Sequence, residues 1–170
     1  GPVSPVRELT FRVDLQPDGD RPAGWRARRH ASLVDLQKTG RHAVEDYWEP
    51  VRPHRGRVVL EPGEFYILAS RERVKVPATQ AAEMAPIAPE LGEFRAHYAG
   101  FFDPGFGVNE GGSRAVLEVR TRDVPFVIED GQPVGKLVYE AMAARPKGLY
   151  GSVGSHYQGQ GLKLSKHFTS

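Results

Sequence analysis

Cysteine is absent from the sequence. No disulfide framework, Cys-based zinc site or thiol nucleophile is therefore open to the chain. Charge of one sign is also scarce: 23 Lys and Arg against 21 Asp and Glu leave only +2 over 170 residues. So small a surplus does not fit a nucleic-acid binder, whose affinity rests on a dense basic face. The one basic run, "RPAGWRARRH" at 21–30, reads as an exposed loop. No apolar stretch is long enough to cross a bilayer and no signal peptide is evident, so a soluble cytoplasmic protein without membrane or nucleic-acid partners is expected. Gly1-Pro2 reads as a protease scar and is assigned no role.

Several chemical signatures are missing as well. The histidines at 30, 42, 54, 97, 156 and 167 show neither His-x-x-x-His nor His-x-His spacing, so a metal pair on one helix or strand is not expected. There is no G-x-x-x-x-G-K-[ST] or G-x-G-x-x-G at a strand-to-helix junction, and no G-x-S-x-G elbow. What remains is metal-free carboxylate chemistry, backbone-built anion sites and plain binding.

Glycine and proline, by contrast, are plentiful, with 19 and 14 residues spread along the chain. They cut it into short segments, several of which alternate apolar and polar residues as half-buried strands do. These are "ELTFRVDLQ" (8–16), the end of "GWRARRHASLVDLQKTG" (24–40) and "SRAVLEVRT" (113–121). "RGRVVLEPGEFYILASRERVKVP" (55–77) reads as two strands around a Pro-Gly turn, and "VPFVIEDGQPVGKLVYEAM" (124–142) carries an Asp-Gly turn. Helical periodicity is weak. Short helices are predicted only at 41–50, stopped by Pro50, and at 78–84, stopped by Pro86. One all-β domain over 1–170 follows, a sandwich or small barrel with one or two short helices.

Three features bear on chemistry. In "AVLEVRT", Ala115, Leu117 and Val119 share one strand face, while Val116, Glu118 and Arg120 share the other. Glu118 is either a solvated carboxylate paired to Arg120 or a neighbour, or a carboxylate in a partly apolar cleft. In such a cleft its affinity for a proton rises and it takes one from water. Asp103 in "FFDPGFG" is either a capped turn or, with Tyr98, Phe101, Phe102 and Phe106 close by, an acceptor for a sugar hydroxyl. The tail "LYGSVGSHYQGQGLKLSKHF" (149–168) offers many donors on a Gly-rich backbone, with positive charge from His156, Lys163 and Lys166. Such a segment can fold over a polyphosphate, and its large apolar residues argue against a floppy end.

In this order, from about Val58 to Phe168, these pieces resemble the dCTP deaminase branch of the dUTPase-like superfamily. "LEPGEFYILASRERVKVP" is similar to a strand pair of that family, and "YAGFFDPGFG" to its nucleoside-binding turn. "AVLEV" is similar to its catalytic-Glu strand, "DGQPVGKLVYE" to the following hairpin, and "YGSVGSHYQGQG" to its closing tail. The resemblance extends to the second half of a longer, two-module bacterial form. It implies a distorted jelly-roll or β-barrel that assembles as a trimer or with a sister module, and zinc-independent deamination of dCTP, or a related deoxynucleotide, to dUTP and ammonia. It further implies that Glu118 is the base, shielded by Phe101 and Phe106, that Asp103 binds the deoxyribose 3′-hydroxyl, and that the backbone around Ala99 holds the base edge. Tyr150, Tyr157 and Gln160 close over the phosphates with a bound Mg2+.

The sequence departs from that pattern where a Ser-Ser-x-x-Arg type segment grips phosphate. There it reads "APIAPELGEFR" (85–95), with Pro86 and Ile87 in place of hydroxyls and Glu90 near the expected arginine. An insert, "GVNEGGS" (107–113), lengthens the path from Asp103 to Glu118, and Phe101 and His156 replace residues that are usually basic. Two other readings therefore stand beside deamination: a nucleotide-binding or assembly module that needs a partner for phosphate, and a dUTP diphosphatase.

Overall fold

The computed structural model describes residues 7–16, 19–85, 87, 94–97 (backbone only), 101–108, 111–144, 148 and 164–168. Alternation governs the two longest elements at its centre. In β9 (Ser113–Thr121) every second residue is buried, from Ser113 through Ala115, Leu117 and Val119 to Thr121. Its partner β5 (Tyr66–Val74) runs antiparallel to it, with Ile67 opposite Glu118 and Leu68 opposite Leu117. β5 also pairs with β2 (Gly24–Ala27) and with the end of β1 (Arg7–Asp14). From β1 the sheet continues through β11 (Pro133–Ala141) and β6 (Gln80–Ala85) to the two-residue β8 (Phe101–Phe102). Beyond β2 lies β3 (Trp48–Val51), and β7 (Phe94–His97) adds to β9. The resulting nine-stranded sheet is curled, and its inner face carries Phe11, Leu68, Phe102, Leu117 and Leu137. A separate two-stranded sheet, β4 (Arg57–Leu60) with β10 (Phe126–Glu129), contributes Leu60 and Ile128 to the same core.

A bulge lets β5 serve its neighbours. Register slips between Ala69 and Arg73, and Ser70 fills the gap. Its buried hydroxyl accepts the Ala115 amide at 2.8 Å and donates to the Glu72 carbonyl at 2.8 Å. The slipped backbone is thus bonded internally, as a buried ladder requires.

The all-β, dUTPase-like expectation holds, whereas several local readings do not. The segments flanking Pro62-Gly63 are strands, but β4 pairs with β10 and β5 with other strands, so the turn links two sheets. The Asp130-Gly131 turn likewise carries the chain from β10 to β11, which do not pair with each other. The 78–84 segment forms β6, not a helix. Hydrogen bonding to β11 on one side and β8 on the other, with Ala82 buried between Tyr139 and Phe102, outweighs alanine's helix preference. At 41–50 the helix α1 covers only Val44–Tyr47. Trp48 is already extended, and Pro50 sits inside β3, where an edge strand tolerates it. The basic run is no loop throughout, since 24–27 is β2, and the alternating "SLVDLQ" has no sheet partner: Leu33 and Leu36 are exposed.

The β10–β11 turn is tied down by Asp130. Its Oδ1 accepts the Leu15 amide at 2.9 Å, and its Oδ2 accepts Gln16 Nε2 at 2.9 Å and Arg71 Nη2 at 2.8 Å. Burial opposes ionisation, yet the Leu15 amide, the Arg71 guanidinium and the Gln16 amide together hold the carboxyl below its usual range. The stability this lends is present above the ordinary value of 3.8 and is lost as pH falls through the lower folded value. Asp130→Asn is expected to cost about 1–3 kcal/mol near neutral pH. Urea unfolding from pH 7 to pH 2 should show the gap to the native chain narrowing in acid. A second expectation concerns Gly107, whose φ is +69° and whose added Cβ would meet the Val74 carbonyl oxygen at 2.1 Å. Gly107→Ala should lower stability by about 2 kcal/mol or more, read by the same unfolding assay.

Candidate functional site on the open sheet face

Cross-strand register builds one continuous row on the face opposite the core. Pro50 faces Trp25, Trp25 faces Ile67, Ile67 faces Glu118, and Glu118 faces His97 of β7. Directly opposed residues share a face, so the Glu118 carboxylate stands beside Ile67 with Trp25 one strand further on. It is exposed in the single chain, between buried Leu117 and Val119. Among the described residues it has no ion-pair or hydrogen-bond partner.

One step along the same face, Arg120 lays its guanidinium over the Phe65 ring, 4.7 Å from the centroid. Phe65 meets Trp48 at 6.1 Å between ring centres, and Trp48 meets Phe168 at 6.1 Å. Phe168 also packs on Tyr47 at 5.2 Å and on His42 at 6.3 Å. Main-chain bonds reinforce this anchorage: Gly40 donates to the Lys166 carbonyl at 2.9 Å and His42 to the His167 carbonyl at 3.2 Å. The end of the tail is therefore fixed beside the face that bears Glu118. The basic run lies at the rim with three of its four arginines engaged, Arg26 and Arg28 on Glu49 and Arg29 on Glu64. The Arg26 hydrogen bond and charge hold the Glu49 carboxyl below the ordinary range.

The Asp-Pro-Gly turn lies elsewhere. The Gly105 amide donates to the Val76 carbonyl, and the Val76 amide to that of Phe106, both at 2.9 Å. Val76 lies just past the end of β5 where Val74 faces Ser113, whereas Glu118 faces Ile67 near the other end. From Ser113 to Glu118 is five residues, about 17 Å of strand. Within one chain, Asp103 and Glu118 thus occupy opposite ends of the β5–β9 ladder. Asp103 is exposed at its turn, and Phe101 is 67% exposed on the β8 edge. Phe106 belongs to the core, in edge contact with Phe102 at 5.0 Å. It therefore lies across the sheet from Glu118 and does not shield it, correcting that part of the expectation.

Tyr98, Ala99, Tyr150, His156, Tyr157 and Gln160 lie outside the described residues, as do Pro86 and Glu90. Among the described residues no group of three or more His, Asp and Glu side chains is arranged to hold a metal. Trp25, Trp48 and Phe65 were not singled out as site residues by sequence, and Phe168 figured only as one of the apolar residues of the tail. They come from four separate segments, and only the strand register brings them together.

Comparison with known proteins gives the family. The family model for the 2'-deoxycytidine 5'-triphosphate deaminase (DCD) C-terminal domain matches residues 4–168. A "dCTP deaminase, dUMP-forming" from Mycolicibacterium vanbaalenii is 33% identical over 122 residues, covering 68% of this chain and 62% of that protein. Its namesake from Corynebacterium jeikeium is 34% identical over 107 residues, 60% of this chain and 54% of that one. The crystal structure of 2'-deoxycytidine 5'-triphosphate deaminase from Agrobacterium tumefaciens matches with a TM-score of 0.76 at 51% identity, over 82% of this chain and 43% of that chain. The chain thus spans less than two thirds of the length of these relatives. Because the family match runs nearly end to end, the chain belongs to the 2'-deoxycytidine 5'-triphosphate deaminase family, in the form of its C-terminal domain.

Proposed function

We propose that the chain supplies the catalytic face of a zinc-independent deaminase that converts dCTP and water to dUTP and ammonia, with Glu118 as its base. One observation carries this reading: in a chain of the dCTP deaminase family, Glu118 stands on an open, partly apolar sheet face with no ion-pair or hydrogen-bond partner among the described residues. The carboxylate takes a proton from water as the water oxygen bonds to C4 of cytosine. The C4–N3 π pair moves to N3 as that bond forms. The same carboxyl returns the proton to the amino nitrogen, which leaves as ammonia, and the new C4 hydroxyl gives its proton to N3 as the ring carbonyl forms. General-base help of this kind contributes ~10²–10⁴-fold, and the rest falls to positioning and electrostatics.

The full site is assembled between copies, as a trimer or with a sister module. The separation of Asp103 from Glu118 along one ladder supports this, as does the exposure of Glu118 and Phe101. Asp103 of one copy binds the 3′-hydroxyl of a nucleotide whose base lies over Glu118 of another. The Ala99 backbone meets the base edge, and Phe101 lines the approach. Tyr150, Tyr157 and Gln160 close over the phosphates. The anchorage of Phe168 beside Phe65 and Arg120 supports this, since it brings the tail to the Glu118 face. Mg2+ bound with the nucleotide would supply charge neutralisation to its phosphates. The relatives' name, dCTP deaminase, dUMP-forming, favours a second reading, in which the dUTP is hydrolysed further to dUMP and pyrophosphate. A pyrophosphate assay beside the ammonia assay decides between the two products.

Glu118→Gln is expected to lower ammonia release from dCTP by ~10²-fold or more while calorimetry finds dCTP binding nearly unchanged. Normal turnover by that variant removes the base assignment, and tight dCTP binding without ammonia release by the native chain leaves only a nucleotide-binding module. Asp103→Ala should mainly raise KM. Co-expressed with Glu118→Gln, it should regain ammonia release at low dCTP through sites that draw each intact residue from a different copy. No regain beyond the sum of the two variants would place the whole site within one copy.

A further inference from the structure

Glu118 and Arg120 stand two residues apart on the same face of β9, so their Cα atoms are about 7 Å apart. That is within easy reach of an arginine side chain. Several other surface arginines take a neighbouring carboxylate, among them Arg12 with Glu72, Arg57 with Glu129, Arg71 with Asp130 and Arg114 with Asp14, while Arg73 takes the Gly112 carbonyl. Arg120 does otherwise. Its guanidinium rests on Phe65, and neither an ion pair nor a hydrogen bond joins it to Glu118. Phe65 is itself held from two sides, by the Trp48 ring at 6.1 Å and by the Ala27 amide, which donates to its carbonyl at 2.9 Å.

We propose that Phe65 is a positioning residue that parks Arg120 on its ring and so keeps the Glu118 carboxylate free for water. This rests on the reading of Glu118 as the base. An exposed cation–π contact and an exposed ion pair are of similar small strength, so the ring decides which partner the guanidinium takes. A carboxylate engaged by a guanidinium has its lone pairs occupied and is a poorer proton acceptor. Leu, Met or Val at position 65 would fill the space and leave the arginine to swing onto Glu118. Arg95 and His97, opposite Arg120 and Glu118 on β7, are the same in every variant compared.

The test uses Phe65→Leu, Phe65→Tyr and the double variant Phe65→Leu with Arg120→Met. Ammonia release from dCTP is measured beside carbodiimide-driven coupling of glycine ethyl ester to Glu118, quantified by peptide mass spectrometry. Phe65→Leu should lower kcat by about threefold or more with KM little changed, and should lower Glu118 labelling in parallel. Phe65→Tyr, which retains a ring, should keep both at native levels, and the double variant should recover most of what the leucine lost. Unchanged labelling in Phe65→Leu overturns the proposal, as does a double variant that recovers neither kcat nor labelling. If Phe65→Leu fails to fold, Phe65→Met carries the same comparison. Normal turnover by Glu118→Gln would instead defeat the base assignment, while the labelling series would still decide whether Phe65 governs Arg120.

Discussion

Strand β5 must satisfy β2, β1 and β9 within nine residues, and a single hydroxyl makes that possible. Where the register with β9 slips, Ser70 takes the Ala115 amide and gives its own proton to the Glu72 carbonyl. Without those bonds, buried backbone groups would be left unpaired in the middle of the sheet, at a cost comparable to several ordinary contacts. The bulge also increases local twist, and a curled sheet encloses the core on one side while exposing its other face. The β2–β5–β9 ladder is held in strict register below the bulge, and that register aligns Trp25, Ile67 and Glu118.

The same ladder divides the functional residues. Its period of two sends Leu117 and Val119 into the core and Glu118 and Arg120 outward. Its length puts the Asp103 turn at the far end, where Gly107 backs onto the Val74 carbonyl too closely for any side chain. The apolar shelter that the proposed base Glu118 would need is therefore not supplied by Phe106 from within. It falls to what covers the open face, and the anchored chain end at Phe168 is already beside that face.

Sequence was informative where one physical signal acted alone. β9 alternates cleanly because it has one buried and one exposed face, β1 alternates in sequence although both Val13 and Asp14 are buried at its end, and both were readable within a residue or two. β6 was misread because Gln80–Ala85 has helix-favouring residues, and its strand identity comes from β11 and β8, distant in the chain. The Pro-Gly and Asp-Gly turns were legible as turns, but a turn does not reveal whether its flanks pair with each other or part into two sheets. Among site residues, Glu118 and Asp103 stood out because a carboxylate among apolar neighbours is locally odd. Phe65 and Trp48 did not, since aromatics in or beside strands are the ordinary material of a core, and Arg120 entered only as a possible ion-pair partner of Glu118. Only the register, with the Arg120 contact to Phe65, gives them a part in the site.

Pro50 has a consequence for how copies of the chain can meet. Arg28 donates to the Tyr47 carbonyl at 2.8 Å, so bonded pairs alternate along β2–β3 and the Trp25–Pro50 pair is a non-bonded one. The proline nitrogen then points away from the sheet, and an arriving backbone finds no donor there. At the opposite end of the strand path, β8 is two residues long, too short to template much. Both margins are thus blunted against runaway strand stacking, which leaves β7, the strand that borders Glu118, as the third described margin of the nine-stranded sheet.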